Sequence, residues 1–166
     1  MSLRLWHISG SVFIFLSGFF LHYAYDISGE NEIVGYFSAV NESVWEHLKL
    51  IFWPAVVFAM PEYFSYGRKE ADFFYVKLMS VFCAMCFTIV FFYTYSGILG
   101  FNMIILDVIS FALGVIFCQF ISFKLLSMDS DGDLGDNFRA LVLFALIAVA
   151  FITWTYNPPE LGIFWG

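Results

Sequence analysis

The chain has 166 residues, of which 61% are hydrophobic and only 13% are charged, and its formal net charge at pH 7 is −7. Soluble domains contain roughly 45–50% apolar and about 25% charged residues, so this composition excludes an ordinary soluble domain and indicates an integral membrane protein. The negative charge provides no basic surface for nucleic acid. A chain of this length predicts a single domain, residues 1–166.

Five apolar stretches approach or exceed the roughly 20 residues with which an α-helix crosses a bilayer. The first follows Arg4 and resembles a signal peptide, but no small-residue cleavage motif precedes Asp26, so it is interpreted as a retained helix. Gly10 and Gly18 within it are small enough to permit close helix contact. We therefore predict an all-α integral membrane bundle of five transmembrane helices. The expected spans cover approximately residues 5–24, 42–63, 73–95, 101–126 and 138–156.

The segment between the first two spans has a different character. Ile33–Val40 is apolar but too short to span a bilayer, which predicts an interfacial or re-entrant piece before the second span. The second helix is expected to start near Asn41, with Asn41 or Ser43 as its N-cap, and Ser43 and Glu46 match the S-x-x-E capping box. Pro54 is expected to kink that helix. The last span should stop before Asn157–Pro159, because proline cannot continue a helix.

The basic residues predict the orientation. If five spans alternate, six of the seven Lys and Arg residues lie on one side, which the positive-inside rule assigns to the cytoplasm. The N-terminus is then cytoplasmic and the C-terminus extracytoplasmic in a cell (plasma) membrane. Lys49 is the only basic residue on the outer side, and an acidic mouth there would concentrate cations and repel anions. Seven acidic residues share that side: Asp26, Glu30, Glu32, Glu42, Glu46, Asp107 and Glu160.

The strongest candidate for a functional site is Asn41–Lys49, which brings two carboxylates, an imidazole and an ammonium together just before an apolar run. On one continuous helix, Glu42, Glu46 and Lys49 would share a face. Asp107 lies at a similar depth on the same side, and ionised groups in a membrane normally face a cavity or each other. We therefore predict a binding pocket that opens outward. Its members are Glu42, Glu46, His47, Lys49, Asp107, His22 and Asn102.

Two interpretations of this cluster stay open from the sequence. The charged residues could serve only as contacts between helices, with Lys49 pairing with Glu46 or Asp107. Alternatively, the pocket binds a cation, a metal or a polar solute, which intramembrane charge favours. Zinc and manganese are the metals that such nitrogen and oxygen ligands suit. The candidate ligands are Glu42, Glu46, His47 and His22.

Two further motifs are interpreted as structural. The Cys83–Cys86 pair lies in the middle of the third span, with Cys118 in the fourth, and thiols buried among apolar side chains are usually inert. The acidic loop Asp129–Asp136 begins like a calcium-binding loop. However, Leu134 occupies the position of the required glycine and Ala140 that of the final glutamate. We interpret this segment as a solvated loop without a calcium site.

Three stretches resemble a family of small, uncharacterised bacterial polytopic membrane proteins. Asn41–Lys49 has the pattern N-E-S-x-W-E-H-x-K of that family, and Asn102–Phe111 and Pro158–Phe164 are similar to it as well. The resemblance extends from the second span to the end of the chain. No activity is established for the family, but the resemblance implies one shared site. That site would contain Glu42, Glu46, His47, Lys49 and Asp107.

The leading hypothesis for function is a membrane protein that binds or transports a cation or small polar solute from the outside. Five short helices leave little room for a private pathway, so a homo-oligomer or a larger membrane complex is expected. The alternative is a membrane-embedded, metal-dependent hydrolase in which a metal ion activates water. A second alternative is a scaffold or assembly subunit without a site. The sequence alone leaves open whether the protein is an enzyme.

Overall fold

The computed structural model describes residues 1–128 and 133–165, and within these ranges all regular secondary structure is helical. The prediction of an all-α fold is confirmed for this part of the chain. Two single 3₁₀ turns, Gly67–Lys69 and Gly162–Phe164, accompany the α-helices. In chain order the α-helices are α1 (Leu3–Ile27), α2 (Glu32–Gly35), α3 (Val44–Ser65), α4 (Phe73–Leu99), α5 (Ile104–Leu126) and α6 (Leu134–Tyr156).

Within the described ranges, four helices are long and apolar enough to cross a membrane: α1, α4, α5 and the Gly135–Tyr156 part of α6. The sequence predicts five such helices, and α3 is the one that does not qualify. It has 22 residues, a sufficient length, but Glu46, Lys49 and Glu62 lower its hydropathy. The four apolar helices nevertheless have the length and composition of membrane-spanning helices, which indicates a membrane protein.

The centre of the bundle is α3, which packs against α1, α4 and α5. Twelve of its 22 residues are buried, and Leu48, Ile51 and Phe52 are at most 1% exposed. These side chains pack with Ile14 of α1 and Val115 of α5 in the main apolar core. Because other helices surround α3 on several sides, its charged residues meet protein groups rather than hydrocarbon. This position explains how the least apolar long helix is accommodated.

The start of α3 follows its local sequence. Ser43 is the N-cap, and its Oγ accepts a hydrogen bond from the backbone nitrogen of Glu46 at 3.4 Å. The predicted capping box is only half formed. The Glu46 carboxylate does not return to Ser43, because its Oε2 accepts a hydrogen bond from the backbone nitrogen of Val40 at 3.0 Å. Glu46 therefore ties the segment before the helix to the helix itself.

Proline has different effects in different helices. As predicted, α6 ends at Tyr156, directly before Asn157–Pro159. Pro54 and Pro61, in contrast, both lie inside α3, which continues to Ser65. The predicted short piece before the second span is α2, a single turn that is followed by an irregular segment up to the cap of α3.

Close contact between α1 and α3 depends on Gly18. A methyl group on Gly18 would come within 2.6 Å of the backbone oxygen of Leu50 and 2.5 Å of the ring of Phe111. A methyl group on Gly10, nearer the start of α1, would come within 2.8 Å of the Phe58 side chain of α3 and 2.9 Å of the Gln119 side chain of α5. The prediction that these small residues permit close packing is confirmed. His22 follows Gly18 by four residues, so it lies on the same face of α1 and is brought towards α3.

Candidate metal centre

Three side chains converge at the end of the bundle where α1 finishes and α3 begins. His22 lies near the end of α1, His47 on the first turn of α3, and Glu42 just before the helix cap. The two histidine Nε2 atoms are 3.2 Å apart. Oε2 of Glu42 lies 3.8 Å from Nε2 of His22 and 3.6 Å from Nε2 of His47. These three residues form a group that is compact enough to hold one metal ion.

The spacing of the ligand atoms fits a tetrahedral metal site. Two nitrogen ligands 2.0–2.1 Å from a zinc ion are about 3.3–3.4 Å apart in tetrahedral geometry, and the histidine nitrogens are separated by 3.2 Å. The Glu42 distances exceed the ideal by only a few tenths of an ångström. Because the Glu42 side chain is 74% exposed, it can rotate to close that gap without disturbing the core.

A hydrogen bond orients His47 for metal binding. Its Nδ1 lies 2.8 Å from the backbone oxygen of Ser43, and since a carbonyl oxygen only accepts, Nδ1 must carry the proton. In the neutral ring this leaves the lone pair on Nε2, the atom that faces His22 and Glu42. The Nδ1 atom of His22 is buried and has no hydrogen-bond partner among the described residues. Packing against His47 and Tyr23 holds that ring instead.

Two chambers adjoin the three ligand atoms. One has a volume of about 280 Å³ and the other about 320 Å³, which is near the lower end of the roughly 300–1,000 Å³ of ligand pockets. Glu42, His47 and Asp107 border both chambers, Asn102 lines the first and His22 lines the second. A metal ion held by the three ligands would therefore face a space that can admit a small molecule.

Asp107 and Ser110 lie on the face of α5 that borders the first chamber. The carboxylate of Asp107 accepts a hydrogen bond from the phenol of Tyr95 on α4, which fixes its position. Ser110, one turn further along α5, is only 2% exposed, and its hydroxyl has no partner within residues 1–128 and 133–165. The chamber thus presents one anchored carboxylate and one unused hydroxyl.

The prediction that Glu46 and Lys49 share this pocket is wrong for the chambers described here. Neither residue lines them. Glu46 is 1% and Lys49 0% exposed, and Lys49 Nζ lies 2.5 Å from Glu46 Oε2. The ammonium also donates hydrogen bonds to the backbone oxygen of Gly35 at 2.8 Å and to Oγ1 of Thr155 at 2.9 Å. Lys49 thus has a full set of partners beside α2 and α6, and it does not pair with Asp107.

The cause of this error is the point at which α3 begins. The shared face of Glu42, Glu46 and Lys49 requires a helix that already includes Glu42. Because α3 starts at Val44, Glu42 precedes the helix and takes an independent direction towards His47. Glu46 and Lys49, three residues apart on the helix, point together to a different side. Glu46, a metal-ligand candidate from the sequence, is therefore not in the compact group of ligands.

A second buried polar cluster, at the opposite end of the bundle, is not anticipated from the sequence. Glu62 forms an ion pair with Lys77 at 2.7 Å, and Lys77 donates to Oγ of Ser122 at 2.9 Å. Nε2 of His7 lies 3.0 Å from the same hydroxyl, and the Tyr66 phenol donates to Glu62 at 2.7 Å. Burial and the Glu62 carboxylate raise the pKa of Tyr66. The signal that could have located this cluster is Lys77, one turn inside an apolar helix, where a charge needs a carboxylate at the same depth.

The remaining motifs do not contribute to the metal centre. Cys83, Cys86 and Cys118 are free thiols on α4 and α5. Residues 129–132 of the acidic loop lie outside the described residues, so its interpretation as a loop without calcium stays a prediction. Asp133, at its described end, is the N-cap of α6, where its carboxylate accepts a backbone hydrogen bond.

The fold defines a helical membrane protein that carries a histidine–carboxylate cluster at one end of its bundle. The chain belongs to DUF6512, a family of unknown function, whose model matches residues 1–166. No curated protein and no solved structure matches the chain. The expected membership of an uncharacterised family is confirmed, whereas its shared motif and bacterial source stay predictions.

Proposed function

We propose that the protein binds a divalent transition-metal cation, zinc in preference to manganese, through His22, Glu42 and His47. The observation that carries the proposal is the pair of Nε2 atoms 3.2 Å apart with the Glu42 carboxylate beside both. Two imidazoles and a carboxylate suit zinc better than harder, oxygen-preferring cations. Asp107 adds a second carboxylate to the same chambers, and this charge favours a cation over an anion.

We propose binding rather than conduction by a single chain. The main core between the two polar ends is apolar and includes Ile14, Leu48, Ile51 and Val115. A cation crossing this region would lose its hydration without receiving polar ligands. The leading hypothesis from the sequence includes transport as well as binding. Transport would therefore require another conformation, or a route formed in a homo-oligomer or membrane complex.

We also propose that α3 is a fifth span, which gives a cytoplasmic N-terminus and places the metal centre on the outer side of a cell membrane. Support comes from the length of α3, 22 residues, against the roughly 20 that a bilayer requires. Its three charged residues are also paired: Glu46 with Lys49, and Glu62 with Lys77. A membrane-impermeant thiol reagent should label cysteines placed at Ser28 and Gly166 from outside in a background without the native cysteines. Labelling of a cysteine at Gly132 would contradict this topology.

Metal titration of the protein purified in mild detergent tests the proposed site. After chelation and dialysis, calorimetry with zinc should show one ion per chain. His22→Ala and His47→Ala should abolish binding, and Glu42→Gln should weaken it at least tenfold. Glu30→Gln, an exposed carboxylate in the α1–α2 connection, is the matched control and should leave the affinity unchanged.

Two results would contradict the metal proposal. One is the absence of zinc and manganese binding by a protein whose circular dichroism shows intact helices. The other is an affinity that survives the combined His22→Ala and His47→Ala substitutions. The first result would leave the scaffold interpretation, and the second would show that the metal binds elsewhere in the protein.

A further inference from the structure

We propose that the chambers beside the metal centre form the substrate site of a hydrolase that acts on a neutral ester or amide attached to an apolar chain. This inference rests on the proposed metal binding and adds to it a reaction and a substrate class. Three features carry it: an open coordination position, an anchored carboxylate with an unused hydroxyl, and an apolar chamber that opens towards lipid.

The metal ligands leave room for water. His22, Glu42 and His47 supply three of the four positions around a tetrahedral zinc ion, and catalytic zinc sites keep the fourth for water or substrate. Asp107 borders both chambers together with Glu42 and His47. The bond from Tyr95 engages only one oxygen of Asp107, so the other oxygen is available to accept a proton.

Ser110 is the independent sign of a ligand. Its side chain is buried and lines the first chamber, yet its hydroxyl has no hydrogen-bond partner among the described residues. A buried hydroxyl without a partner is energetically unfavourable. Ser110 follows Asp107 by three residues on α5, so both lie on one helix face. A carbonyl oxygen in the chamber would satisfy the hydroxyl while the carbonyl carbon approached the water beside Asp107.

The second chamber indicates the rest of the substrate. Phe15, Phe19 and Val108 line it, and Phe19 and Val108 are 52% and 45% exposed on the outer surface of α1 and α5. Both helices are apolar enough to cross a membrane, so this surface faces lipid and an amphiphile could enter sideways. Glu42 and Asp107 balance the two charges of one divalent cation, so the loaded site is formally neutral and offers no excess positive charge for a phosphate group. The chemistry therefore favours a neutral carbonyl head with an apolar chain.

The reaction requires only water as co-reactant. The metal-bound water adds to the carbonyl carbon while Asp107 accepts a proton from it. The negative oxygen of the tetrahedral intermediate is stabilised by the metal ion and by the Ser110 hydroxyl. The bond from the carbonyl carbon to the leaving oxygen or nitrogen then breaks, and Asp107 returns the proton to that atom. An ester gives a carboxylic acid and an alcohol, and an amide gives an acid and an amine.

Hydrolysis of chromogenic and fluorogenic acyl probes by the zinc-loaded protein in mixed micelles tests this inference. The probes are p-nitrophenyl acetate, p-nitrophenyl octanoate and octanoyl-7-amino-4-methylcoumarin. We expect kcat/KM for the octanoate to exceed that for the acetate at least tenfold. Asp107→Asn should lower kcat by about 10²-fold or more while the protein still binds one zinc ion per chain. Glu30→Gln, the exposed carboxylate that also serves as the control for metal binding, should change neither quantity.

Tyr95→Phe keeps the inference testable if Asp107→Asn does not fold. This substitution removes only the hydrogen bond that positions the carboxylate, so kcat should fall while KM and zinc affinity are retained. Zinc binding without hydrolysis above the rate of zinc in empty micelles would overturn the hydrolase inference and leave the metal proposal intact. Hydrolysis that is unchanged in both variants would overturn the role of Asp107. Absence of zinc binding would overturn both proposals.

Discussion

Replacement of Lys49 by methionine removes the ammonium that neutralises Glu46 inside the bundle. Glu46 is 1% exposed, so its carboxylate would remain buried without a counter-charge, a change that costs about 3–5 kcal/mol. The carbonyl of Gly35 also loses its donor, and a buried polar group left unsatisfied costs about 1–3 kcal/mol. Thr155 suffers less, because its hydroxyl donates to the Phe151 carbonyl at 2.7 Å in any case.

Addition of Glu46→Gln should restore much of the lost stability. The amide removes the orphaned charge and retains an oxygen that can accept the hydrogen bond from the backbone nitrogen of Val40. Mainly the Gly35 carbonyl then stays unsatisfied. We therefore expect the double variant to be about 2 kcal/mol more stable than Lys49→Met alone.

Unfolding by sodium dodecyl sulfate in mixed micelles, followed by far-ultraviolet circular dichroism, measures this double-mutant cycle. The matched control combines Lys49→Met with Asp107→Asn. Because Lys49 and Asp107 have separate partners, their effects should add to within about 0.3–0.5 kcal/mol. A double variant with Glu46→Gln that is no more stable than Lys49→Met would refute the reasoning, as would strong coupling to Asp107.

The other buried ion pair should behave in the same way: Lys77→Met should lower the free energy of unfolding by about 3–5 kcal/mol, and added Glu62→Gln should partly restore it in the same assay. Gly18→Ala should destabilise by about 1–3 kcal/mol, since a methyl group there meets the backbone of α3. Gly97→Ala is the control, because a methyl group there has no atom within 4 Å, and it should stabilise α4 by about 0.5–1 kcal/mol. Equal effects of Gly18→Ala and Gly97→Ala would contradict the close approach of α1 to α3. Burial and Glu62 raise the pKa of Tyr66 above its ordinary value of 10.0. The neutral phenol therefore stabilises the fold fully below pH 10, and this stabilisation is lost as the pH rises from there through the raised pKa. Wild type and Tyr66→Phe should accordingly show the same phenolate absorbance up to about pH 11 while folded, and a smaller signal from Tyr66→Phe would contradict the buried phenol.

Helix positions could be predicted because they depend on local properties of the chain. Backbone groups in hydrocarbon must be hydrogen-bonded within the segment, so a long apolar stretch becomes a helix. The expected span 101–126 corresponds to Ile104–Leu126, and the prolines end α6 at Tyr156 as expected. The exception is α3, whose charged residues make its membrane crossing depend on the helices around it.

The composition of the site could be predicted in part. Alternating helices bring the end of α1, the start of α3 and the start of α5 to one end of the bundle, so His22, His47 and Asp107 were placed together from connectivity alone. Glu42 was assigned to the same pocket for a reason that proved wrong, since it lies before the helix and not on its face. The position of the Ser43 cap decided which residues it could meet.

The sequence by itself determined that this protein is helical, suited to a membrane and acidic around the start of α3. Only the tertiary structure decided that Lys49 pairs with Glu46 beside Thr155, that Lys77 meets Glu62, and that His22 meets His47. The physical reason is helix rotation. A helix that is apolar on every side has no amphipathic face to indicate its direction. Its rotation is set by contacts such as the packing of Gly18 on α3, and those contacts exist only once the helices are assembled.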